Sequence, residues 1–162
     1  MRAQNTPLLN QKSSCTKSGI DRVLEKNFFL YNLTTKCLVE FTLIGSILII
    51  DDNMIFCNAL KSHFTQKEYN VKTCISFREF KDKIDIKNFD LIFLDLRLQD
   101  AEGLDILESI LEICPDKKVI IISSYLDDEC IAKAKEIGAF QCIPKNSQLF
   151  EKLDYLMNEI QQ

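Results

Sequence analysis

Three short apolar runs in this chain each end in side chains able to handle a phosphate or a metal ion. Ile47-Leu48-Ile49-Ile50 leads into Asp51-Asp52, Leu91-Ile92-Phe93-Leu94 into Asp95, and Val119-Ile120-Ile121-Ile122 into Ser123-Ser124. Apolar runs of this length with no polar alternation read as strands buried on both faces of a parallel sheet. In open sheets of that class, ligands bind beyond the carboxyl ends of the strands. Carboxylates there can hold a hard cation or attack phosphorus, and a hydroxyl can hydrogen-bond a phosphoryl oxygen. The placement points to a site rather than a core.

The elements that must position these groups alternate from residue 46 onward. A strand over 46–50 precedes a helix over 53–66, where Phe56, Ala59, Leu60 and Phe64 recur at helical spacing. A second strand covers 69–74. Ser76 and Glu79 form a capping box for a helix burying Phe77, Phe80 and Ile84. A third strand covers 89–94, and Gly103 precedes a helix carrying Leu104, Leu107, Ile110 and Leu111 that ends at Pro115. Residues 118–122 form strand four, 126–137 a helix stopped by Gly138, and 139–143 strand five. Ser147 opens a last helix with Leu149, Phe150, Leu153, Leu156 and Met157 on one side. The pattern is βα five times over, an α/β domain with connections of a few residues.

The 162 residues suffice for one such domain over 46–162 and an N-terminal extension over 1–45. The first twenty residues are polar and expected to be disordered, and residues 20–33 could form a short helix. Apolar content of 46% and charge of 27% are those of a globular chain. Residues 1–45 carry six basic and three acidic groups (+3), and the rest fourteen and twenty-one (−7), for a net charge of −4. An acidic body argues against non-specific nucleic-acid binding, which needs a basic face. Seven scattered cysteines (15, 37, 57, 74, 114, 130 and 142) show neither zinc spacing nor a disulfide framework, as in a reducing cytosol. The most apolar stretch, residues 41–50, is half the roughly 20 residues of a membrane span. A cytoplasmic protein is expected.

Taken together, the chain resembles the receiver domain of two-component response regulators over residues 46–160. The resemblance rests on an ordered set: Asp51-Asp52-Asn53, the central Asp95 in Phe-Leu-Asp-Leu, and Gly103 eight residues later. Ser123 closes strand four, Gly138-Ala139 precedes strand five, and Lys145 follows it. It implies a doubly wound, flavodoxin-like sheet of five parallel strands in the order 2-1-3-4-5, which brings strands one and three together at the switch point. Three carboxylates would then crowd one pocket and repel, which favours Mg²⁺.

By the same resemblance Asp95 is the nucleophile that accepts a phosphoryl group. Asp52 holds the metal directly, Asp51 does so through water, and the Arg97 backbone carbonyl completes the set with Asp95. Ser123 and Lys145 meet phosphoryl oxygens. The implied function is a stand-alone, chemotaxis-regulator-like phosphoacceptor switch that assists its own phosphotransfer and dephosphorylation. A histidine kinase or histidine phosphotransfer protein is the donor, and output runs through the face made by the fourth helix, fifth strand and fifth helix. Because the sequence ends at Gln162, output is expected by protein contact rather than through a further domain. Asp51-Asp52 alone would suit a helix N-terminus; Asp95 and Lys145 make a pocket the better reading.

Several positions depart from the family pattern. Ser123 stands where Thr is frequent, and Cys142 where a rotating aromatic is usual. Pro144-Lys145-Asn146 replaces Lys-Pro, so a trans bond follows the lysine. Leu98-Gln99 replaces Met-Pro. Arg97 and Tyr125 are expected to overhang the pocket and hinder water. The single histidine, His63, reads as a flank residue of its helix, and Lys133 and Lys135 as solvated. The alternatives are a degenerate receiver acting as a phosphorylation-independent adaptor and a haloacid-dehalogenase-like phosphatase. The latter wants Asp where Arg97 stands. A flavodoxin-like FMN carrier lacks its phosphate loop after strand one.

Overall fold

The computed structural model describes residues 45–161, in which strands and helices alternate. The expected N-terminal helix lies outside the described residues. In order, the elements are β1 (Ser46–Ile50), α1 (Met54–Thr65), β2 (Asn70–Cys74), α2 (Phe77–Lys83), a 3-10 turn (Ile86–Asn88) and β3 (Leu91–Leu94). They continue with α3 (Gly103–Ile113), β4 (Lys118–Ser123), α4 (Asp128–Ile137), β5 (Gln141–Pro144) and α5 (Leu149–Ile160). All strand pairs are parallel, and the order is β2-β1-β3-β4-β5. This is the expected doubly wound α/β sheet.

The period of two along each strand divides the core into two layers. Leu48, Ile50, Ile92, Leu94, Val119 and Ile121 face α2, α3 and α4 through Phe80, Ile106, Leu107, Ile110 and Ala134. Ile47, Ile49, Leu91, Phe93, Ile120 and Ile122 face α1 and α5 through Cys57, Leu60, Phe64, Leu153 and Met157. Burial of each such side chain favours folding by roughly 1.5–3 kcal/mol. With both layers filled, the central strands have no freedom to slip, because a one-residue shift would exchange the layers.

Element ends differ from the sequence expectation where a local cap competes. β3 begins at Leu91 because Asp85 accepts from the Lys87 N–H and winds residues 86–88 into the 3-10 turn. β2 begins at Asn70, after a turn in which the Tyr69 N–H donates to the Phe64 carbonyl. α4 begins at Asp128, since the Asp127 carboxylate accepts from the Cys130 N–H at 2.7 Å. α5 starts at Leu149 rather than at Ser147, because Asn146 Oδ1 accepts from the Gln148 N–H at 3.0 Å. β5 runs Gln141–Pro144, two residues later than expected at its start. Phe77 and Ile84 are half-buried, and Ala59 is exposed while Cys57 takes the inward position on α1. Gly138 ends α4 with φ +122°, a conformation that an L side chain rarely adopts. Among the described residues no helix is long and apolar enough to cross a membrane.

Candidate functional site

The sheet register places the acidic groups side by side. β1 pairs with β3 as Ile49 with Phe93 and Ile50 with Leu94, so the next residues, Asp51 and Asp95, leave adjacent strands together. The Asp95 N–H donates to the Ile50 carbonyl at 2.9 Å and the Asp51 N–H to the Cys74 carbonyl at 3.0 Å, which continues the ladder one residue beyond the strands. Carboxylate oxygens of Asp51, Asp52 and Asp95 lie within 4.8 Å of one another. At such a separation two like charges repel by roughly 3 kcal/mol at an effective dielectric of about 20. Asp51 is 2% exposed, and Asp95 is also buried.

One ammonium offsets part of that charge. Lys145 Nζ lies 2.6 Å from a carboxylate oxygen of Asp51 and 2.6 Å from one of Asp95. Its tether is the end of β5, whose neighbour β4 ends in Ser123; the Lys145 N–H donates to the Ser123 carbonyl at 2.9 Å. The Phe56 ring supports the ammonium from α1 at 4.5 Å, a cation–π contact that the helical spacing alone did not reveal. Burial works against the Lys145 charge, but the hydrogen bonds to Asp51 and Asp95 outweigh it and raise the amine above its ordinary value. For Asp51 burial dominates and lifts the carboxyl above the usual range, opposed by Lys145 and by the Asn53 N–H at 2.9 Å. Asn53 also accepts from the Phe56 N–H, so one residue steadies the carboxylate and starts α1.

The donor set suits a hard divalent cation. Three carboxylates against one ammonium leave two negative charges, and the donors are oxygens alone. The Arg97 carbonyl follows Asp95 on the same loop. The Arg97 N–H donates to Asp95 Oδ1 at 3.4 Å, and its guanidinium lies over the Tyr125 ring, 4.9 Å from the centroid. Ser123 is buried at the end of β4 and its hydroxyl accepts from the Tyr125 N–H at 3.4 Å.

Gly103 is required by a close approach. A Cβ there would run into the carbonyl oxygen of Asp95 and the Cα of Leu96, while the Gly103 N–H donates to the Leu96 carbonyl at 2.7 Å. The start of α3 therefore presses on the loop that carries Asp95. The other candidates fall elsewhere. His63 Nε2 meets Asp154 Oδ1 at 2.7 Å and joins α1 to α5. Lys133 pairs with Glu129 along α4, and Lys135 Nζ donates to the Phe140 carbonyl. Cys142 lines a groove between β5 and α5, away from the carboxylates.

A family model described as the response regulator receiver domain matches residues 47–156, most of the chain. The chain belongs to the response regulator receiver domain family. Among curated relatives, this receiver is 28% identical over 99 residues to the transcriptional regulatory protein ZraR of Escherichia coli (strain K12). That stretch is 61% of this chain and 22% of ZraR, so the match spans about a fifth of the relative's length. Among solved structures, the receiver resembles the beryllofluoride-activated receiver domain of DrrB from Thermotoga maritima. The TM-score is 0.64 and the identity 26%, covering 73% of this chain and 97% of that one. The chemotaxis protein CheY4 of Vibrio cholerae, 18% identical, shares the fold with TM-score 0.65 over 72% of this chain and 98% of that one. Receiver domains of this family are phosphoacceptor switches in two-component signalling, and they typically bind Mg²⁺ at an acidic cluster.

Proposed function

We propose that Asp95 of this receiver takes a phosphoryl group from the phosphohistidine of a cytoplasmic histidine kinase or histidine phosphotransfer protein. The observation that carries the reading is the shared Lys145 ammonium, 2.6 Å from both Asp51 and Asp95, in a pocket that still holds two uncompensated negative charges. A carboxylate oxygen of Asp95 attacks phosphorus, the donor P–N bond breaks, and its electron pair returns to the imidazole nitrogen. The transition state is loose and spreads charge over the equatorial oxygens, so positioning and electrostatics do most of the work. Lys145 turns toward one of those oxygens, and the Ser123 hydroxyl donates to another. Asp51, Asp52, Asp95 and the Arg97 backbone carbonyl are the groups that hold Mg²⁺, which supplies positive charge toward the phosphoryl oxygens.

The output of the switch is a change at the face formed by α4, β5 and α5. The Lys145 N–H to Ser123 carbonyl bond ties the ends of β4 and β5, so side chains drawn to a phosphoryl group pull on both strands. That biases two arrangements through differential contacts. A groove of about 530 Å³ on this face, lined in part by Cys142, Ile143, Pro144, Tyr155 and Leu156, offers a protein partner apolar surface.

The test is incubation with acetyl phosphate and Mg²⁺, then intact mass of the wild type and Asp95→Asn. One phosphoryl adduct is expected, absent from the variant and absent when a chelator is added. An adduct that persists in Asp95→Asn would sink the assignment. No adduct on the wild type would leave a phosphorylation-independent adaptor.

A further inference from the structure

The loop that leaves β3 folds back on itself. The Leu98 N–H donates to the Ala101 carbonyl at 3.3 Å and Arg97 bridges Glu102 in the antiparallel sense, so residues 97–102 form a small hairpin tipped by Gln99 and Asp100. The tip is tied to α2. Asp100 Oδ1 accepts from the Phe77 N–H at 3.0 Å, and Oδ2 accepts from the Arg78 N–H at 3.1 Å. Both bonds favour the ionised carboxylate and hold it below the ordinary range, the Phe77 N–H first. Among the described residues, every hydrogen bond between the hairpin and α2 ends on this one exposed side chain.

The tie closes a ring around the acidic pocket. On one side the Asp51 N–H donates to the Cys74 carbonyl at 3.0 Å, and Ser76, two residues on, caps α2. On the other side the Asp95 N–H donates to the Ile50 carbonyl, and Arg97 opens the hairpin. Asp100 joins the two sides. We infer that Asp100 is a positioning residue for the cation: by fastening the hairpin to α2 it fixes Asp95 and the Arg97 carbonyl relative to Asp51 and Asp52. This rests on the reading of those groups as the ones that hold Mg²⁺. A site held in place beforehand binds more tightly, because the ordering cost is met before the ion arrives. Mg²⁺ demands near-octahedral geometry and is sensitive to a ligand that wanders. Partners bonded directly to metal ligands change affinity by about ten- to a hundredfold, and Asp100 acts one step farther out, so about three- to tenfold is expected. By reciprocity, the cation must in turn tighten the tie.

The experiment is calorimetric titration of Mg²⁺ alone into the full chain, with no phosphodonor present. Asp100→Ala removes both acceptors and is expected to raise the Mg²⁺ dissociation constant about three- to tenfold with the stoichiometry unchanged. Asp85→Ala is the matched control. It too deletes an exposed carboxylate that caps a turn, accepting from the Lys87 N–H just beyond the end of α2, but it lies outside the ring. Its dissociation constant is expected to stay within about twofold of wild type, since salt screens a lone exposed charge. In the wild type, Mg²⁺ is expected to slow hydrogen exchange of the Phe77 and Arg78 amides, and Asp100→Ala to abolish that response.

The proposal is overturned if Asp100→Ala binds Mg²⁺ as tightly as the wild type, if Asp85→Ala loses as much, or if Mg²⁺ leaves exchange of the two amides unchanged. A wild type that binds no Mg²⁺ overturns the metal reading itself, and this inference with it. If Asp100→Ala does not fold, the wild-type exchange measurement decides. Slowed exchange at Phe77 and Arg78 upholds the tie, and unchanged exchange sinks it.

Discussion

Gly103 stands so close to Asp95 that its missing side chain is what lets the two backbones meet. The contact couples the start of α3 to the loop that carries Asp95. Gly103→Ala forces the Asp95 backbone to move, because neither the carbonyl of Asp95 nor the Cα of Leu96 is a flexible end. We expect a loss of about 1–3 kcal/mol in urea unfolding, the range for overpacked sites. Acetyl phosphate uptake by the folded fraction should fall at the same time. Uptake at the wild-type rate would show that the loop tolerates the shift.

Lys145→Met removes the one ammonium between two buried carboxylates. Breaking a buried pair leaves a charge uncompensated and costs about 3 kcal/mol. We expect that loss at pH 7, and expect Mg²⁺ to restore much of it. The sign follows from the raised Lys145 pKa: its contribution is whole below the unfolded value of about 10.4 and is lost as the pH climbs through the folded one. Denaturant midpoints at pH 7 with and without Mg²⁺ measure both effects.

Mg²⁺ should raise the melting temperature of the wild type, since a ligand bound only by the folded state stabilises it by mass action. Chelation should reverse the gain. In Asp52→Asn one of the three carboxylates is neutral, and the gain should disappear. An undiminished shift in Asp52→Asn would place the cation elsewhere.

Asp90 fastens the start of β1 ahead of β3. Its Oδ2 accepts from the Gly45 N–H at 3.0 Å, the Ser46 N–H at 2.9 Å and the Ser46 hydroxyl at 2.7 Å. Burial works to raise its pKa, but these hydrogen bonds prevail and hold the carboxyl below the ordinary range. A depressed folded pKa means that the contribution is present above the unfolded value of about 3.9 and is lost as pH falls through the folded one. Asp90→Asn should cost about 1 kcal/mol at pH 7, a figure discounted for solvent screening at this exposed position. The gap from wild type should narrow below about pH 4. A constant gap down to pH 2 would mean that the charge plays no part.

The central strands and the acidic site were legible in sequence because each depends on local pattern. β1, β3 and β4 each carry an unbroken apolar run, and the parallel register of β1 and β3 carries Asp51 and Asp95 to the same place without further instruction. The spacing of Gly103 from Asp95 likewise had a physical cause, the close approach of backbones. What escaped was set by side chains distant in sequence. Nothing near Phe56 announces that Lys145 will lie over its ring, and nothing near Asp90 announces its bonds to Ser46. Element ends were blurred where two caps competed, as at Asn146 and Ser147 before α5.

Among the described residues β5 is an edge strand, hydrogen-bonded to β4 and to no other strand. The amine that offsets part of the pocket's charge thus hangs from an edge of the sheet. Under the proposed output through this face, reciprocity of binding free energies makes this a two-way lever. A protein leaning on that flank alters the grip on the charge within by the same factor by which the charge alters its hold on the flank.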